Sequence, residues 1–243
     1  MGTYAAVVLA GGAARRMGGV DKPALPVGGR SMRDRVLAAV GDAAPRVLVG
    51  PADGVPDDVR VTREDPPGGG PVAATAAGLA LLDRDTTLVA LLAADLPLLT
   101  RAAIGDLLTH LAAAGRPASA APADSPAGPK AAPADSPALA APADSPSGPK
   151  AGTVFHTEPV DGVCFVDADG RRQSLCGVWR VEALRSGLLR LAADRGGSLA
   201  GASMRALLVG LAIHDVPWVG AGPPPWFDCD TDEDVRRAEE WVR

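Results

Sequence analysis

Residues 9–23 read Leu-Ala-Gly-Gly-Ala-Ala-Arg-Arg-Met-Gly-Gly-Val-Asp-Lys-Pro, with paired glycines beside fixed positive charge. This chemistry suits phosphate. Gly11 and Gly12 carry no Cβ, so backbone N–H groups can come close to phosphate oxygens. Arg15 and Arg16 offer forked guanidinium contacts, and Lys22 offers a mobile point charge. Of 24 basic residues only Lys22, Lys130 and Lys150 are lysines, and the last two lie in a low-complexity repeat. An isolated lysine beside a glycine loop, in a chain that otherwise uses arginine, marks Lys22 as a chemical residue. The spacing is neither Gly-x-x-x-x-Gly-Lys-Ser/Thr nor Gly-x-Gly-x-x-Gly. It therefore disfavours both a Walker-type loop and a nicotinamide-linked oxidoreductase.

Carboxylates form the second group. Asp95 follows the apolar run 87–93 and precedes Pro97; Asp228 and Asp230 alternate within Pro-Trp-Phe-Asp-Cys-Asp at 225–230. A carboxylate at Asp95 is a natural Mg2+ ligand facing phosphates, and Asp228 or Asp230 could join it. Two carboxylates can hold one Mg2+ while water and phosphate complete its octahedron. The glycines at 68–70, followed by Pro71, form a flexible entrance to a helix over 71–82, with Pro71 at its first position.

These groups need a scaffold, and the hydropathy pattern supplies one. The apolar runs at 4–9, 46–49 and 87–93 are continuous rather than alternating, 59–62 is a further short strand candidate, and amphipathic stretches separate several of them. That pattern predicts an α/β fold with a mostly parallel sheet covered on both faces. Ligands in such sheets sit beyond the carboxyl ends of strands, where the 10–22 loop and Asp95 would lie. Ser31 is expected to cap a helix ending at Gly41, and Thr100 one running to Ala114. Strands at 163–166 and 173–179, joined by Asp167-Ala168-Asp169-Gly170, suggest a small β-hairpin excursion. Helices are expected over 181–191 and 198–208, and a short edge strand over 211–216. Thr231 and Asp234 have the spacing of a capping box.

Composition narrows the partners. The net charge is −5 and apolar residues make up 47%, which argues against a broad nucleic-acid surface. Cys164, Cys176 and Cys229 are too scattered for a disulfide framework or a zinc site. Neither a secretory signal nor an 18-residue apolar run is present, so the expected location is the cytoplasm with no membrane partner. Residues 117–150 are different. Ala-Pro-Ala-Asp-Ser-Pro recurs at 121–126, 132–137 and 141–146. Its prolines oppose helix and sheet, so 117–159 is expected to be a disordered, Pro/Ala-rich insertion interrupting one domain over 1–243.

Together these stretches resemble the MobA-type nucleotidyltransferases, the molybdenum cofactor guanylyltransferases. The opening Leu9-Ala10-Gly11-Gly12 through Arg16-Met17-Gly18 to Lys22 is similar to the family's L-A-G-G-x-x-x-R-M-G-x-x-K. Gly70-Pro71-Val72-Ala73 resembles G-P-L-A-G, with Ala74 for the final glycine. Asp95-Leu96-Pro97 resembles C-D-x-P, with Ala94 for the cysteine. Residues 173–179 resemble Q-P-L-x-G-x-Y. Phe227 to Asp234 resembles F-x-N-x-N-T-P-E-D, with Asp228 and Asp230 in the asparagine positions. The likeness spans about 4–116 and 160–242.

The resemblance implies a Rossmann-like, three-layer domain that transfers GMP from GTP to molybdenum-molybdopterin and releases pyrophosphate. Leu9, Ala10, Gly11, Gly12, Gly70 and Pro71 would line the nucleotide. Arg16 and Lys22 would contact phosphates, and Asp95 would bind Mg2+. The acidic Asp228 and Asp230 make the site more negative than the family's asparagines would. Cytidylyl transfer to molybdopterin, transfer to another small phosphorylated molecule, and a non-catalytic nucleotide-binding scaffold are the alternatives. In the scaffold reading the Pro-rich insertion recruits molybdoenzymes or their chaperones.

Overall fold

The computed structural model describes residues 4–11, 22–114 and 160–243. The 117–159 insertion lies outside the described residues. Strands from both sides of it join one seven-stranded sheet. In chain order these are β1 (Ala5–Leu9), β4 (Arg46–Val49), β5 (Val59–Thr62), β6 (Leu88–Ala93), β7 (Gly162–Val166), β8 (Arg172–Arg180) and β9 (Ile213–Pro217). Across the sheet the order is β5-β4-β1-β6-β8-β7-β9. All pairings are parallel except the two made by β8. The expected mostly parallel sheet is present. The hairpin forms around the turn at 167–170, and both its strands are integral to the main sheet.

β1 shows why continuous apolar runs were needed. Ala6 and Val8 face one core, with Val36, Leu37, Ile104 and Leu107. Ala5, Val7 and Leu9 face a second core, with Val72, Leu79, Leu184 and Leu207. The first core is closed by helices α1 (Met32–Ala39) and α3 (Arg101–Ala114). The second is closed by α2 (Pro71–Ala80), α4 (Val181–Asp194) and α5 (Met204–Leu207). The result is three layers, helix–sheet–helix. Helix α2 sits especially close to the sheet. A Cβ on Gly78 would lie 2.4 Å from Val7 Cγ1, so only glycine fits there.

Local capping follows the sequence. Ser31 Oγ accepts from Asp34 N at 3.1 Å, and Thr100 Oγ1 accepts from Ala103 N at 3.2 Å. Two features differ from expectation. A short antiparallel ribbon, β2 (Pro26–Val27) and β3 (Arg30–Ser31), turns at Gly28 and Gly29 with φ of 58° and 75°. The helix expected over 198–208 is confined to 204–207. Gly201 takes φ 68°, and its N–H donates to Gly69 O at 2.8 Å. That hydrogen bond commits the preceding residues to a loop lying on the 68–70 glycines. Leu199 packs against the second core from this loop, without helical periodicity.

Candidate active site

The carboxyl ends of β1 and β6 are held side by side. Ala94 N donates to Leu9 O at 3.0 Å, and Ala10 N donates to Val49 O at 2.8 Å. Asp95 therefore emerges beside Leu9, Ala10 and Gly11. The Leu9 and Ala10 side chains are buried in the two cores, so these residues face the site with backbone. Gly11 is exposed. Lys22 opens a single 3-10 turn, Lys22–Ala24, that returns the chain to the same edge.

Lys22 Nζ donates to Asp95 Oδ2 at 2.6 Å and to Asp230 Oδ1 at 2.7 Å. The lysine side chain is 18% exposed and that of Asp230 is 51% exposed. Burial opposes the ammonium charge, but hydrogen bonds and attraction from Asp230 and Asp95 outweigh it. They raise the lysine above its ordinary 10.5, so Lys22 stays charged throughout neutral pH. Asp95 and Asp230, expected from the sequence to meet around a metal ion, converge here on the Lys22 ammonium. Asp228 is close enough to feel the same charges. Burial, then Asp230 and Asp95, push its carboxyl above the usual range, while Lys22 partly offsets the rise.

A small third core gathers these distant residues. Val27, Met32, Leu98, Cys229 and Ala238 pack together, joined by Leu25, Phe227, Val235 and Val242. It ties the segment after Lys22 to the segment after Asp95, and both to the stretch carrying Asp228 and Asp230. Cys229 N donates to Asp95 O at 3.3 Å. Burial pushes the Cys229 thiol up to about 12, so it acts as an apolar wedge rather than a nucleophile. Helix α6 (Asp232–Trp241) begins directly after Asp230. Its Thr231–Asp234 capping box is formed as the spacing predicts.

The glycine segment approaches from the other side. Gly70 has φ 88° and precedes Pro71 at the start of α2. Glu64, which the sequence did not single out, links this segment to the loop. Its Oε1 accepts from Gly68 N at 3.1 Å and would lie 3.4 Å from a Cβ on Gly11. Its only sequence signal is its place just after β5. Gly12 and Arg16 lie outside the described residues.

The donor set suits a hard cation. Two carboxylates already converge, and water and phosphate oxygens could complete a Mg2+ shell. Among the described residues, no group of three or more His, Cys, Asp or Glu is arranged as a metal cage. The carboxyl edge of a mostly parallel sheet bearing glycines, one half-buried cation and paired carboxylates can bind a polyphosphate and balance changing charge on it.

Comparison with known proteins agrees with this reading. The MobA-like NTP transferase domain matches residues 6–208. Molybdopterin-guanine dinucleotide biosynthesis protein A from Archaeoglobus fulgidus has a similar structure, with TM-score 0.59, 17% identity and 97% of each chain covered. The 2-C-methyl-D-erythritol 4-phosphate cytidylyltransferase of Thermus thermophilus superposes with TM-score 0.58, 19% identity and 98% coverage of each chain. The 4-diphosphocytidyl-2C-methyl-D-erythritol synthase of Anaerococcus prevotii gives TM-score 0.59 at 12% identity, covering 99% of this chain and 98% of that one. At these identities the structural likenesses speak for the fold. No protein of curated function matches the chain in sequence. The match over 6–208 identifies the chain as a nucleotidyltransferase of the MobA-like NTP transferase family.

Proposed function

We propose that this protein transfers GMP from GTP to the terminal phosphate of molybdenum-loaded molybdopterin, releasing pyrophosphate. The observation that carries the reading is the Lys22 ammonium clasped by Asp95 and Asp230 beside Gly11. An acceptor phosphate oxygen attacks the α-phosphorus, the α–β bridging bond breaks, and the electron pair leaves with pyrophosphate. The nucleophile is already an anion, so no strong general base is required. The barrier is repulsion between two phosphates. Lys22 remains protonated and relieves it, assisted by Arg16 and by backbone donors at Gly11 and Gly12. Asp95, with Asp230 or Asp228, would hold Mg2+, which supplies Lewis-acid polarisation of phosphate oxygens when bound. Close in-line placement contributes further.

Cytidylyl transfer is the second reading, favoured by the structural likeness to two proteins of cytidylyl chemistry. A matrix of nucleotides and acceptors decides between them. It should show Mg2+-dependent pyrophosphate release with GTP only when molybdenum-loaded molybdopterin is present. Equal or faster release with CTP, or turnover with methylerythritol 4-phosphate in place of the pterin, overturns the guanylyl assignment. GTP binding without transfer to any acceptor would favour the scaffold reading.

A further inference from the structure

A cleft of about 490 Å³ opens where the first and third cores meet, within the size range of ligand-binding clefts. Leu99 lines it from the first core and Leu98 from the third. Arg30, Arg35 and Arg101 line it too. Arg101 pairs with Asp42 at 2.9 Å. Arg35 donates from Nε to Pro97 O at 3.2 Å, which orients the guanidinium without cancelling its charge. Among the described residues Arg30 is exposed and forms no ion pair. Two tryptophans complete the lining. Trp218 donates from its indole N to Gly222 O at 3.2 Å and meets Phe165 and Trp226 edge-on. Trp241 meets Phe227 edge-on at 5.0 Å between ring centroids and remains 44% exposed. Braced indoles form the kind of aromatic-lined groove that takes proline-rich segments, and the two uncompensated guanidiniums favour a segment that is also acidic.

The chain itself carries a segment of this chemistry. Residues 115–159 join Ala114 to Val160. Within them each Ala-Pro-Ala-Asp-Ser-Pro repeat has a single charge, Asp124, Asp135 or Asp144, two residues from a proline on either side. The attachment points suit the cleft. Ala114 and Val160 pack against the first core, as do Leu99 and Trp218 of the cleft, so all four belong to the same side of the sheet. Helix α3 leaves the cleft at Arg101 and ends at Ala114 after 14 residues, a length of about 21 Å. Beyond Val160, the five residues of β7 rise about 17 Å to the level of Pro217, the neighbour of Trp218. The seven-residue step from Ala114 to the first repeat at 121 spans at most about 25 Å, and the fourteen residues from 146 to Val160 at most about 50 Å. Each repeat can therefore reach the cleft, and the tether holds it there at an effective concentration of millimolar order.

We infer that this cleft is the docking site of the chain's own 121–146 repeats, with proline rings against Trp218 and Trp241 and an aspartate on Arg30 and Arg35. The inference is independent of which nucleotide or acceptor the protein uses. Its test is paramagnetic NMR on the full-length, nitrogen-15-labelled protein, with a nitroxide attached through Ser136→Cys. The native Cys164, Cys176 and Cys229 are buried, so the nitroxide goes to position 136. The indole N–H resonances of Trp218 and Trp241 should broaden, while that of Trp179, buried in the second core on the other face of the sheet, should not. Asp124→Asn, Asp135→Asn and Asp144→Asn made together should cut the relaxation enhancement at both indoles at least threefold, although the tether is unchanged. Arg30→Ala should do the same, and circular dichroism establishes that this variant is folded. Indoles that do not broaden, or an enhancement that neither set of substitutions reduces, overturns the inference. Nitroxide-labelled protein without nitrogen-15 is also mixed with unlabelled-thiol, nitrogen-15 protein. No broadening is expected in that mixture; broadening there would give the cleft to a second copy of the chain and overturn the assignment to its own repeats.

Discussion

Replacing Lys22 by methionine keeps the length of the side chain and removes its charge. The Asp95 and Asp230 oxygens lie 2.6 and 2.7 Å from Nζ. They are therefore no more than about 5.3 Å apart, and without the ammonium they repel by about 3 kcal/mol at an effective dielectric of ~20, or about 0.8 kcal/mol in bulk water. Asp230 is half exposed, which places the expected loss of stability at about 1–2 kcal/mol. For a chain of this size that is a Tm fall of roughly 2–8 °C. Turnover should fall much further, by about 10²–10³ in kcat, because a charge aimed at the transition state is lost. Pyrophosphate release at saturating substrates, measured well below the variant's Tm, reads the second effect; thermal unfolding followed by circular dichroism reads the first. Adding Asp230→Asn to Lys22→Met should recover most of the Tm loss without restoring kcat. Turnover within threefold of wild type, or a kcat loss no larger than the unfolded fraction explains, would refute the assignment. The lysine's contribution is complete below its unfolded value and is lost only as pH rises through a folded value above 10.5. Activity should accordingly show no Lys22 titration between about pH 6 and 9.

Other perturbations probe the rest of the site. Asp95→Ala should weaken the dependence of activity on Mg2+, and an unchanged metal titration would reject its ligand role. Asp228→Asn removes a carboxylate raised by burial and by neighbouring acids; it should leave Tm unchanged or raise it by at most about 2–4 °C, and a fall in thermal unfolding would contradict the electrostatic account. Gly78→Ala forces a Cβ against Val7 and should cost about 1–3 kcal/mol through overpacking, read as a shifted denaturant midpoint with little change in m-value.

The centre of the sheet was legible because β1 and β6 are buried on both faces and so appear as unbroken apolar runs. Caps were legible where one side chain meets a backbone donor three residues on, as at Ser31, Thr100 and Thr231. The stretch before α5 misled because Leu199, Met204 and Leu207 have helical spacing, while Gly201 is held by a distant carbonyl that no local pattern reveals. The site was half legible. Lys22 stood out by rarity and the aspartates by their neighbours, yet their meeting depends on packing between residues 208 positions apart. The third core draws on four segments, of which only α6 carries a pattern of its own, Val235, Ala238 and Val242 at helical spacing, while Leu25, Val27, Met32, Leu98, Phe227 and Cys229 are scattered. Glu64 gave no sign because its role arises only where β5 ends beside Gly11.

The third core also orders events in time. A growing chain presents Gly11, Lys22 and Asp95 early, but it cannot present the clasp until residues 226–242 have been synthesised and α6 has docked Ala238 onto Val27, Met32 and Leu98. Until then Lys22 has only one of its two carboxylate partners, and the segment of Asp95 has no Cys229 to lean on. Residues 226–242 thus complete the clasp, and a chain without them holds Lys22 and Asp95 without the means to fix them.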